Sequence, residues 1–137
     1  KLYEYKSKYA SNLLDIGGVM KILLIDDDPS VTMVLKEFLG LKHEVLETNS
    51  GNRAIEILNN QQSSFDLVIC DYQMPDGDGL SVLRYLKSSA STIKFMMFTS
   101  CIDLNLPLSY ESFLGIYKKP DFTDLLRKVS EVSVPPP

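Results

Sequence analysis

Short apolar runs recur along this chain, separated by stretches in which hydrophobic residues return every three or four positions. Ile22–Ile25, Leu67–Cys70, Ile93–Phe98 and Phe113–Tyr117 lack the polar alternation of a half-solvated strand. Such runs predict parallel strands buried on both faces. Glu44–Glu47 is more polar and predicts a strand at a sheet edge.

Between the strands the period changes to that of a helix. Val31, Val34, Leu35, Phe38 and Leu39 are spaced i, i+3, i+4, i+7, i+8, with Asp28-Pro29 to open the helix and Gly40 to stop it. A second helix starts at Ser50-Gly51 and runs through Ala54, Ile55 and Leu58. A third follows the turn Met74-Pro75-Asp76-Gly77-Asp78-Gly79 and carries Leu80, Leu83 and Leu86. Asp121 caps a last helix with Phe122, Leu125, Leu126 and Val129 inward. Residues 102–112 have little helical periodicity, and Pro107 interrupts them, so a fourth helix there is expected to be irregular or displaced.

Strand–helix alternation with right-handed crossovers gives an α/β, doubly wound, five-stranded parallel sheet, its strand order left open by periodicity alone. In such a sheet Asp26, Asp27, Asp71, Thr99 and Lys119 all emerge at the carboxyl edge, where open α/β sheets bind ligands. Three carboxylates, a hydroxyl and an ammonium there describe a site for a divalent cation and a phosphoryl group.

Composition narrows the field. The 137 residues are 45% hydrophobic and 23% charged, in the range of one globular domain. A net charge of -4 with no basic stripe argues against direct nucleic-acid binding. No apolar stretch reaches the roughly 18 residues that span a bilayer. Cys70 and Cys101 form neither a disulfide framework nor a metal spacing, which fits a reducing cytoplasm. His43, entering the second strand, is the only histidine, so histidine-based catalysis is nearly excluded. Residues 1–19 carry Leu2, Tyr5, Tyr9, Leu13 and Ile16 at near-helical spacing before Gly17-Gly18. They read as a helical extension, either a vector-derived arm or the tail of an upstream helix. Residues 20–132 form the domain, and 133–137 a truncated proline-rich linker.

Asp26-Asp27, Asp71, Met74-Pro75 with Asp78-Gly79, Thr99-Ser100 and Lys119-Pro120, in that order and each after a strand, resemble the receiver domain of two-component response regulators. The resemblance implies a flavodoxin-like sheet of order 2-1-3-4-5. It implies that Asp71 is the phosphoacceptor, with Asp27 and Asp71 on Mg²⁺, Asp26 acting directly or through bound water, and the Gln73 backbone carbonyl as a further ligand. Lys119 and Thr99 would hold phosphoryl oxygens, with Ser100 in their neighbourhood. The donor would be a histidine kinase or phosphotransfer protein, and the response would reach an output domain or a homodimer partner. The domain would catalyse only its own phosphorylation and dephosphorylation.

Three features depart from the family pattern. Ile116 stands where an aromatic switch residue is usual, with Tyr117 next to it and able to substitute if the register shifts. The fourth-helix region is atypical, and Gly77 replaces a common apolar residue. Asp28 and Asp78 read as helix caps, Asp76 as a turn residue, Cys101 as an incidental thiol, and Lys118 as a strand-end lysine. Two rival readings are a pseudo-receiver that binds partners without phosphate, and a Mg²⁺-dependent aspartyl phosphatase using Asp26 and Asp28.

Overall fold

A computed structural model describes residue 4 and residues 18–61 and 64–132. The proposed helical extension, apart from residues 4, 18 and 19, and the proline-rich linker lie outside the described residues. Between residues 18 and 132 the chain runs β1 (Lys21–Ile25), α1 (Pro29–Leu39), β2 (Glu44–Thr48), α2 (Gly51–Gln61), β3 (Leu67–Cys70), α3 (Gly79–Ser88), β4 (Lys94–Thr99), β5 (Phe113–Lys118) and α4 (Phe122–Val132). The five strands form one parallel sheet in the order β2-β1-β3-β4-β5.

The apolar runs are continuous because each strand feeds two cores. Side chains alternate across a strand. Ile22 and Leu24 therefore join Leu35, Leu39, Leu125 and Val129 under α1 and α4. Leu23 and Ile25 join Ala54, Leu58, Val82, Leu83 and Leu86 under α2 and α3. Each fully buried aliphatic or aromatic side chain contributes about 1.5–3 kcal/mol relative to exposure. Edge strand β2 faces solvent more, as its charges require.

The helix boundaries follow local chemistry. Asp28 Oδ1 accepts from Ser30 N at 2.9 Å and caps α1, while Pro29 takes the first turn, where no amide donor is needed. Asp78 Oδ1 accepts from Ser81 N at 2.8 Å and caps α3. Asp121 Oδ1 accepts from Asp124 N at 3.0 Å at the start of α4. In α3 it is Val82 that joins Leu83 and Leu86 in full burial, with Leu80 only half-buried.

The connection from β4 to β5 contains no helix: residues 100–112 are turns, bends and coil. Leu104, Leu106, Leu108 and Tyr110 still pack against the α2/α3 core, so the segment covers the sheet as irregular chain. Tyr110 anchors its far end, its hydroxyl 2.7 Å from Ile93 O. With the leucines two residues apart, and Asn105 and Pro107 between them, one helical face cannot gather the apolar side chains.

β5 is bulged. Phe113 pairs with Phe95 but Ile116 with Met97, so β5 carries one extra residue around Leu114 and Gly115. Gly115 has φ +116, a backbone region suited to glycine. Without the bulge Tyr117 would stand opposite Thr99. With it, Tyr117 pairs with Phe98, packs in the α1/α4 core and donates from its hydroxyl to Leu114 O at 3.2 Å. Tyr117 therefore does not take the aromatic position; the register shift leaves Ile116 there, 40% exposed.

Candidate functional site

Register brings the acidic groups together. Ile25 pairs with Cys70, so the next residues, Asp26 and Asp71, leave the sheet side by side. Backbone bonds extend the ladder past the strands: Asp71 N donates to Ile25 O at 2.9 Å, and Asp26 N to Thr48 O at 3.1 Å. Lys119 arrives from β5 in the same way, its amide donating to Thr99 O at 2.9 Å.

The three side chains make one cluster, its carboxylates buried and its lysine half-buried. Lys119 Nζ lies 2.8 Å from Asp26 Oδ2 and 2.9 Å from Asp71 Oδ2. The other oxygens are held by the main chain: Asp26 Oδ1 accepts from Asp28 N at 2.9 Å, and Asp71 Oδ1 from Tyr72 N at 2.7 Å. Asp26 is only 4% exposed and Asp71 8%, whereas Asp27 faces solvent. Oxygens of Asp26, Asp27 and Asp71 lie within 4.8 Å of one another.

Electrostatics sets what this cluster can bind. Burial raises the pKa of the Asp26 carboxyl, and the bonds from Lys119 and the Asp28 amide only partly offset that. Burial also works against the Lys119 charge, but its hydrogen bonds and attraction to Asp26 and Asp71 outweigh this and raise its pKa. When ionised, three carboxylates against one ammonium leave net negative charge in a partly desolvated place. A small hard cation with oxygen ligands fits. Two oxygens on one Mg²⁺ sit about 3–4 Å apart, and Mg²⁺ keeps several waters, so a spread of up to 4.8 Å suits a partly hydrated ion.

The remaining sequence-derived residues fall around the cluster. Thr99 ends β4, is 2% exposed, and its Oγ1 accepts from Cys101 N at 3.1 Å. Thr99 and Ile116 line a shallow recess with Cys101, Ile102 and Lys118. Ser100 is exposed on the following bend. Gln73 lies on the β3–α3 loop, in a small hollow with Tyr72, Met74, Pro75 and Asp78. Asp28 and Asp78 spend their carboxylates on helix caps and leave the acidic cluster to Asp26, Asp27 and Asp71. Cys70 is fully buried, and burial pushes its thiol pKa well above the ordinary value, as befits an inert core residue.

Sequence reasoning missed the supports. Thr48 offers only a backbone carbonyl, which no residue type announces. Gly77 was visible as a departure from the usual turn, but its cause lies in Asn52, across the sheet edge. Gly79 allows α3 to start against the site, since a Cβ there would sit 2.4 Å from Asp71 O.

Fold and site together define a signalling module built on a flavodoxin-like sheet. Residues 22–128 match the response regulator receiver domain, and the chain belongs to that family, the receivers of two-component systems. It is 31% identical over 105 residues to the transcriptional regulatory protein CpxR of Escherichia coli K12, covering 76% of this chain and 44% of that protein. It is 40% identical over 66 residues to the two-component response regulator ARR18 of Arabidopsis thaliana, covering 47% of this chain and 10% of that protein. The chain thus spans less than half the length of either relative. Among solved structures, a receiver domain from Clostridium thermocellum superposes with a TM-score of 0.72 at 27% identity, covering 82% of this chain and 93% of that one. The receiver domain of a Luxo repressor protein from Vibrio parahaemolyticus gives 0.71 at 21% identity, covering 84% and 89%, a likeness of fold. No helix among the described residues is long and apolar enough to cross a membrane.

Proposed function

We propose that this chain is a phosphoacceptor of a two-component phosphorelay, taking a phosphoryl group onto Asp71 from the phosphohistidine of a histidine kinase or phosphotransfer protein. The observation that carries this reading is the single lysine bridging two buried carboxylates, with Lys119 Nζ 2.8 Å from Asp26 and 2.9 Å from Asp71. A fixed cation beside the acceptor carboxylate is what an incoming phosphoryl group requires, since positioning and charge neutralisation dominate this chemistry.

In the reaction an Asp71 carboxylate oxygen attacks phosphorus in line with the departing imidazole nitrogen. An O–P bond forms, the N–P bond breaks, and the leaving imidazole keeps the electron pair. Mg²⁺, when bound, offsets the charge on the phosphoryl oxygens and the attacking carboxylate. Asp26, Asp27, Asp71 and the Gln73 carbonyl would hold it. Lys119 has the compact, mobile ammonium to move from the carboxylates to a phosphoryl oxygen. The Thr99 hydroxyl can donate to another oxygen while still accepting from the Cys101 amide.

The acyl phosphate adds negative charge at the carboxyl end of β3, and Thr99 and Lys119 carry the response to the loops that follow β4 and β5. An output domain or a second copy would read that surface, and cytoplasmic action follows from the donor. Intact mass after incubation with acetyl phosphate and Mg²⁺ tests the assignment. We expect one added phosphoryl group in the wild type and none in Asp71→Asn; one-to-one labelling of that variant would overturn it. The second reading, an interaction module independent of phosphate, is favoured by the loss of a helix between β4 and β5. Wild-type protein that stays unlabelled would select it.

A further inference from the structure

We propose that the segment Thr48–Asn52, with Asn52 as its key side chain, is a positioning strut that sets the separation between the two loops carrying the metal-site residues. The inference rests on the phosphoacceptor reading and adds residues to its machinery. One loop, after β1, bears Asp26 and Asp27. The other, between β3 and α3, begins at Asp71 and bears Gln73.

The strut touches both loops. At one end Thr48 O accepts from Asp26 N at 3.1 Å. At the other, the first turn of α2 uses its free amides on the β3–α3 loop: Gly51 N donates to Gly77 O at 3.0 Å and Asn52 N to Asp76 O at 3.0 Å. Helix N-termini have amides without helical partners, and here another loop's carbonyls satisfy them. The Asn52 side chain closes the joint, Nδ2 donating to Asp76 Oδ1 at 2.9 Å.

Gly77 fits this joint and little else would. Its φ is +89, and a Cβ would sit 2.6 Å from Asn52 Oδ1 and 2.7 Å from Asn52 N. The apolar residue usual at this turn is excluded by the close approach of Asn52. Gly51 is equally confined, its Cβ position 2.4 Å from Gly77 O. The loop is also pinned at its base, where Gly79 N donates to Tyr72 O at 2.8 Å. Gln73 therefore sits between two fastened points, and Asp71 immediately before the first.

The test compares Mg²⁺ affinity by calorimetry, melting temperature, and hydrogen exchange of the 72–78 loop in the metal-free full chain. Asn52→Ala removes one hydrogen bond without changing charge, and should weaken Mg²⁺ binding about two- to tenfold and speed exchange of the loop. Gly77→Ala adds a methyl group to a strained, crowded position and should weaken binding further. A double variant carrying Asn52→Asp and Asp76→Asn exchanges donor and acceptor at constant net charge, and should return affinity to within about twofold of wild type on the same reasoning. Wild-type affinity in both single variants, with only the melting temperature lowered, would overturn the strut. Failure of the wild type itself to bind Mg²⁺ would instead overturn the phosphoacceptor reading and the strut with it.

Discussion

His43 shows how a residue with no part in the chemistry can govern the protein's response to acid. It is 5% exposed, and its Nδ1 accepts from Met20 N at 3.0 Å, which places the ring proton on Nε2. Among the described residues that Nε2 has no partner. Burial, helped by the neighbouring Lys42 charge, lowers the His43 pKa from 6.5 to about 4. The unfolded chain therefore takes up the proton first. The histidine's contribution to stability is intact above about pH 6.5 and is lost as pH falls towards about 4, by at most about 3 kcal/mol. Denaturant melts of the wild type and His43→Leu across that range should diverge by this amount. Curves that stay parallel would show that the ring does not titrate differently on folding.

Local sequence alone separates the aspartates into caps and site residues. Asp28 precedes a proline-led helix and Asp78 precedes α3, so each had a local use for its oxygens, and each serves as a cap. Asp26, Asp27 and Asp71 had no such use, and they are the three that converge. What local sequence could not supply is that Lys119 would span two of them, because residues 71 and 119 are 48 apart and meet only through strand order.

At the scale of elements, β5 is the informative case. Its apolar run identified a strand, but the bulge depends on a backbone state that only Gly115 makes easy. A Cβ at Gly115 would meet nothing nearer than 3.7 Å, so crowding is not the obstacle. The cost of Gly115→Ala should come from holding an alanine at φ +116, about 1–2 kcal/mol. Thermal melting should register that loss. A variant as stable as the wild type would mean the bulge is readily abandoned and the Tyr117 register is soft. The helix-free segment from 100 to 112 belongs to this scale as well. Its weak periodicity pointed to an irregular or displaced helix, whereas no helix forms there, and the packing of Leu104, Leu106 and Leu108 onto the α2/α3 core required the finished sheet.

For the whole molecule, folding and cation binding should be linked through Asp26. A folded-state pKa raised by burial means that the metal-free protein holds the Asp26 proton more tightly than the unfolded chain does. That contribution favours folding at low pH and is lost as pH rises from about 3.8 through the raised value. On the proposed function Mg²⁺ would reverse the preference, because it would need the ionised carboxylate and bind only the assembled site. At a hundred times its Kd it should add about 2.7 kcal/mol. The thermal shift on adding Mg²⁺ should therefore be full near neutrality and fade as pH falls through the raised Asp26 pKa. Asp26→Asn should flatten this fade; an unchanged pH profile in that variant would remove Asp26 from the linkage.

The linear sequence determined the elements and the end of the sheet at which the chemistry gathers. Strand burial, helix amphipathicity and capping are set by neighbours within a few residues, and parallel strands must all present their final residues at one edge. Tertiary structure alone decided how the residues meet: the lysine across two carboxylates, Lys118 rather than Tyr117 opposite Thr99, and Asn52 locked against the Asp76–Gly77 turn. Those contacts depend on register and on backbone carbonyls from distant segments, and neither leaves a mark in side-chain identity until the strands have paired.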